Sequence, residues 1–124
     1  MAFDPVARLV TYHDAINALD FATIEAMFAD DAVYDSGGLG GVIAGRGPIM
    51  AGFRTYFDTY PDQVSQDSLV EALGGARVRS LWRLTARNRH TGEPLAREGE
   101  EIVTFDDSGL IMRVEVADWP AHRF

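Results

Sequence analysis

YHDAINALDFATIEAMFADDAVYDS, running from Tyr12 to Ser36, is the stretch around which the rest of the chain makes sense. Leu9, Ile16 and Leu19 share a helical face with Tyr12, while Ile24, Met27 and Phe28 repeat at the i, i+3, i+4 spacing of a second amphipathic helix. The stretch therefore reads as the end of one helix, a short second helix over Phe21 to Ala29, and a strand over Ala32 to Ser36. Asp30 and Asp31 oppose the negative end of a helix dipole and so mark its stop. Two polar features need an explanation: Tyr12, aimed at whatever its helix covers, and Asp35 with Ser36 at the end of the strand.

Upstream, Asp4 followed by Pro5 has the form of an N-cap with proline in the first helical position, and the apolar period then runs from Val6 to Leu19. Downstream, the segment from Gly37 to Gly47 holds six of the chain's 12 glycines. It lacks the Lys-Ser/Thr pair of a P-loop and the G-x-G-x-x-G of a dinucleotide site, so it reads as a loop around a short strand, Val42-Ile43, at the mouth of a pocket. Pro48 opens a third helix with an aromatic-rich stripe of Ile49, Phe53, Tyr56, Phe57 and Tyr60, closed by Pro61-Asp62.

Beyond Pro61 the period changes to two. Strands are expected over Val64 to Leu73, Ala76 to Arg89, Leu95 to Phe105 and Leu110 to Trp119, with turns at Gly74-Gly75, His90 to Glu93 and Asp106 to Gly109. Helices followed by strands predict an α+β fold, three N-terminal helices packed on a strongly curved antiparallel sheet. A chain of 124 residues with 47% hydrophobic content fills one core, so one domain over residues 1–124 is expected.

Composition removes several function classes. With no cysteine there are no disulfides, thiol nucleophiles or cysteine-held metals, and the three histidines, His13, His90 and His122, do not form a metal set. All 11 basic residues are arginine, which leaves no side-chain amine for Schiff-base chemistry. A formal net charge of −8 argues against nucleic acid and against an anionic membrane as partner. No basic region followed by an apolar segment opens the chain, so a cytoplasmic location is expected.

Strand parity then exposes two carboxylates. Val78, Ser80, Trp82, Leu84 and Ala86 fall on one side of their strand, the side expected to meet the helices. In the next strand Glu101 shares a face with Val103 and Phe105, and in the last one Leu110, Met112, Val114 and Val116 lead on the same parity to Asp118. An acid on an apolar face has to be neutral, paired or placed in a cavity, unless Asp118 reaches solvent at its strand end or a bulge at Gly99 turns Glu101 outward. The opposite faces, rich in Arg and Glu, read as a solvated surface with cross-strand pairs. His13, beside Asp14 on a helix, reads as a partly exposed surface residue.

The helix Tyr, the FADDA run and the strand ending at an acid resemble the ketosteroid isomerase and SnoaL-like branch of the nuclear transport factor 2-like superfamily. The resemblance implies a cone-shaped fold with an internal cavity, a small apolar ligand, no cofactor and a homodimer through the outer sheet face near Leu81 and Ile111. It places Tyr12 and a protonated Glu101 on an enolate oxygen. The base is left between Asp35, one residue from the position that Ser36 occupies in the gapless match, and Asp118, the counterpart of the last-strand acid of polyketide cyclases. Phe53, Trp82, Val103 and Val116 are then the expected apolar contacts. The implied reaction is proton transfer α to the carbonyl of a small apolar compound, such as a polycyclic ketone. The alternatives are a noncatalytic ligand-binding or dimerisation module and, third, an epoxide hydrolase in which Arg97 with Glu101 and Asp118 approximates an Asp-Arg-Asp set.

Overall fold

A computed structural model describes residues 3–120 of the chain. Asp4 caps helix α1 (Pro5–Asn17) as its side chain suggests, accepting hydrogen bonds from the Val6 and Ala7 backbone N–H groups at 3.0 and 3.3 Å. A second capping aspartate, Asp20, accepts from the Thr23 N–H and opens α2 (Phe21–Met27). With α3 (Arg46–Thr59), these helices cover a six-stranded sheet built from β1 (Phe28–Ser36), β2 (Gly41–Ala44), β3 (Val64–Gly74), β4 (Arg77–Arg87), β5 (Pro94–Phe105) and β6 (Ile111–Asp118). The spatial order is β2-β1-β6-β5-β4-β3. Helix α1 bears on β3 and β4 and α3 on β1 and β2, so the buried aromatics Tyr12, Phe28, Phe53 and Phe57 fill the space between. No helix among the described residues is long and apolar enough to cross a membrane.

Three features depart from the sequence reading. The sheet is mixed, because β1 and β6 run parallel while every other neighbouring pair is antiparallel. Local alternation identifies each strand but carries no information on the relative direction of two strands separated by a helix and a meander. Next, α2 stops at Met27 and Phe28 is already extended, so the acidic pair lies inside β1. Asp30 and Asp31 sit exposed where the β1–β6 register shifts between Phe28 and Val33, and that irregularity keeps Asp30 outside although it shares the parity of the inward Phe28, Ala32, Tyr34 and Ser36. In β6 the expected parity fails at its start: Ile111 is fully buried and Met112 is 45% exposed. Phe105 pairs with Ile111 but Thr104 with Arg113, so Met112 is an extra, bulged residue, and parity resumes at Val114.

The β4–β5 ladder decides the position of the site, and it is unbroken from Arg77↔Thr104 to Arg87↔Pro94. Val78, Ser80, Trp82 and Leu84 are buried beneath the helices, Arg83 faces out, and Glu101 is only 5% exposed. Gly99 carries no bulge. Its bare Cα instead permits a close approach of β6, since a Cβ there would lie 2.0 Å from the Ala117 carbonyl oxygen. The outer face holds the expected cross-strand pairs, with Arg79 bridging Glu100 at 2.7 Å and Glu71 at 3.1 Å.

Candidate active site

A cavity of about 90 Å³ lies between the helices and the sheet. Ile16, Phe53, Phe57, Trp82, Leu84 and Val116 supply apolar walls, and His13, Tyr34, Tyr56, Arg97 and Glu101 bring polar groups to it. Of the apolar contacts expected from the sequence, Phe53, Trp82 and Val116 line the cavity. Val103 does not; it is fully buried in the core one turn of the pleat beyond Glu101.

The residue that organises the polar end is His13. Its Nε2 lies 2.6 Å from Glu101 Oε1 and its Nδ1 2.7 Å from Asp67 Oδ2, so one ring joins α1 to β5 and to β3. Burial, the largest single influence, pulls the imidazole pKa down, but the two carboxylates overturn it and lift the pKa to about 10. The ring is therefore an imidazolium at neutral pH, with both N–H groups donating to carboxylates. This overturns the surface reading of His13, and it replaces the expectation that Glu101 acts as a protonated donor. The apolar neighbours Val103 and Phe105 do flank Glu101, but the cation on α1 is the partner that sequence parity on β5 alone does not reveal.

Tyr12, expected on the cavity wall, lies behind it. Its side chain is fully buried against Phe28, and its hydroxyl lies beside that of Tyr34. Desolvation, with the nearby Tyr34 and Glu101, pushes its pKa well up. Tyr34 takes the wall position instead. Desolvation raises its pKa too, and its hydroxyl lies near enough to Glu101, Tyr12, Arg97 and Tyr56 for each to act on its ionisation. It is a neutral hydrogen-bond donor at the polar end of the cavity. The signal for Tyr34 was in the sequence, because it shares strand parity with Ser36, and Ser36 also lines the cavity while accepting from the Gly38 N–H.

Neither expected base faces the cavity. Asp35 lies on the opposite face of β1 from Tyr34 and Ser36, paired in register with Val42 and Glu115, which are both exposed. Asp118 is 41% exposed and outside the cavity lining, with both carboxylate oxygens taken by Arg97 Nε and Nη2 at 2.6 and 2.7 Å. Asp118 keeps the inward parity of Val116 at the last residue of β6, where Arg97 takes its carboxylate. The Asp-Arg-Asp approximation is not assembled either, since Arg97 pairs with Asp118 while Glu101 pairs with His13. Among the described residues no cluster of three or more His, Asp or Glu side chains is placed to hold a metal ion; His122 falls outside them.

The SnoaL-like domain model matches residues 9–114, from α1 to the middle of β6. The chain belongs to the SnoaL-like domain family. No curated protein sequence matches it. Solved structures share the fold at low identity. Bal32a, from a soil-derived mobile gene cassette, matches this SnoaL-like domain with a TM-score of 0.84 at 20% identity, over 93% of this chain and 88% of that one. RV0760c from Mycobacterium tuberculosis, solved with estradiol-17β-hemisuccinate, matches with a TM-score of 0.82 at 16% identity, over 95% of each chain. SalBIII, an epoxide hydrolase/cyclase-like enzyme of pyran ring formation in the polyether salinomycin, matches with a TM-score of 0.81 at 16% identity, over 93% and 90%.

Proposed function

We propose that this SnoaL-like domain moves a proton α to the carbonyl of an apolar ketone, without a cofactor. Glu101 is the proton acceptor and Tyr34 donates a hydrogen bond to the enolate oxygen that forms. The observation that carries the reading is the Glu101 carboxylate fixed at the cavity by His13, with the neutral Tyr34 hydroxyl beside it. A carboxylate whose orientation is held by a hydrogen bond loses little freedom when it meets a substrate, and a preset donor answers charge as it develops. Apolar walls exclude water from the same space, which strengthens both effects. The cavity volume favours a compact ketone over the polycyclic one implied by the family resemblance.

The test is solvent deuterium uptake into the α positions of a panel of cyclic ketones, followed by NMR. Tyr34→Phe is expected to slow uptake by about 10²-fold, the usual effect of losing one oxyanion donor, with ligand affinity nearly unchanged. Uptake by no ketone, or uptake that Tyr34→Phe leaves intact, removes the catalytic reading and favours a binding module.

A homodimer through the outer sheet face completes the proposal. Leu69 and Met112 are exposed on the sheet amid its Arg and Glu pairs, and Met112 takes the outward position that the sequence assigned to Ile111. Sedimentation at micromolar concentration is expected to give twice the chain mass of 13.6 kDa; a monomer contradicts it.

A further inference from the structure

Five charged groups surround the cavity, but they are not equally placed. His13, Arg97 and Glu101 line it, whereas Asp67 and Asp118 lie outside the lining and hold the two cations from behind. Both ring nitrogens of His13 are already taken by carboxylates. Arg97 is different. Asp118 takes Nε and Nη2, Tyr56 is the other side chain that hydrogen-bonds the guanidinium, and no carboxylate among the described residues takes Nη1. The guanidinium is also fixed in place. It lies over the Trp82 ring at 5.4 Å, and it abuts the bare Cα of Gly38, where a Cβ would come within 2.6 Å of Nη1. Tyr56 donates its hydroxyl to Gln63 Oε1, and its oxygen is near enough to act on the guanidinium. A clamped arginine that lines the cavity with no carboxylate on Nη1 has a cationic donor to offer a ligand there.

We propose that the Nη1 edge of Arg97 is a carboxylate subsite, and that the ligand is an apolar keto acid. Its carboxylate meets Nη1, and its ketone reaches Glu101 and Tyr34. The inference deepens the ketone reading above and rests on it for the position of the carbonyl. Gly38 then has a specific part, because any side chain there displaces the guanidinium rather than the backbone.

The probes are 4-oxocyclohexanecarboxylate and its carboxamide, titrated calorimetrically into wild type, Arg97→Gln and Gly38→Ala, each checked for folding by circular dichroism. The acid is expected to bind wild type about tenfold more tightly than the amide or better, as for hydrogen bonds to a charged partner. In Arg97→Gln the ratio should fall to near one, and in Gly38→Ala it should fall several-fold while amide affinity stays about the same. A wild-type ratio of one or less, or a preference that folded Arg97→Gln retains, overturns the proposal; should Arg97→Gln fail to fold, an unchanged ratio in Gly38→Ala does so. The same mixtures in deuterium oxide separate the two readings. Acid preference without deuterium uptake keeps the subsite and removes the catalytic reading, and uptake without acid preference removes the subsite alone.

Discussion

Replacing Glu101 with glutamine is expected to lower α-proton exchange in a bound ketone by about 10³-fold, within the range that a positioned general base contributes. Glutamine keeps the shape of the side chain and an oxygen that accepts from His13 Nε2, so the cavity and its affinity should survive. What it loses is the capacity to take the proton. The comparison with Asp35→Asn is informative, because Asp35 faces away from the cavity and that variant should exchange at the wild-type rate. Proton exchange followed by NMR in both variants checks the assignment. A rate lost in Asp35→Asn and kept in Glu101→Gln would return the base to the first strand.

Replacing His13 with glutamine is expected to destabilise the fold by about 3 kcal/mol at pH 7, the lower end of the loss seen when one partner of a buried ion pair is removed. Glutamine cannot serve both Asp67 and Glu101 with a cation, and Glu101 is left almost fully enclosed. The pH dependence gives the sign. The folded pKa of His13 is raised from 6.5 to about 10, so its contribution is fully present below pH 6.5 and is lost as pH climbs toward 10. In that window the wild type should lose stability by up to about 1.4 kcal/mol per pH unit, and His13→Gln should be much flatter. Urea denaturation at intervals from pH 6 to 10 measures both curves. Parallel curves would mean that the imidazole gains no proton on folding.

Much of the fold was legible because each element announces itself locally. The Asp4-Pro5 cap, the helical period to Leu19 and the alternation through Trp82 and Glu101 all depend on residues near in sequence. The departures come from features that depend on distant partners: the parallel β1–β6 pair, and the bulges that keep Asp30-Asp31 outside and exchange the faces of Ile111 and Met112. The site follows the same division. Parity placed Glu101 inside, but Asp67 lies 54 residues from His13 and Glu101 88, and no local pattern shows that one imidazole joins them. His13 looked like a surface residue because Asp14 stands next to it, and what it meets is on the sheet. Asp118 shows the same limit, since parity alone did not reveal that Arg97, 21 residues away, takes both of its carboxylate oxygens.

The central claim is that the cavity carboxylate is held by an imidazolium shared with Asp67, and ring-nitrogen NMR of His13 across pH 5 to 11 tests it most directly. The account predicts a doubly protonated ring through neutral pH, titrating with a midpoint near 10 in the wild type and well below that in Glu101→Gln. A wild-type midpoint near the ordinary 6.5, unmoved by Glu101→Gln, would contradict it.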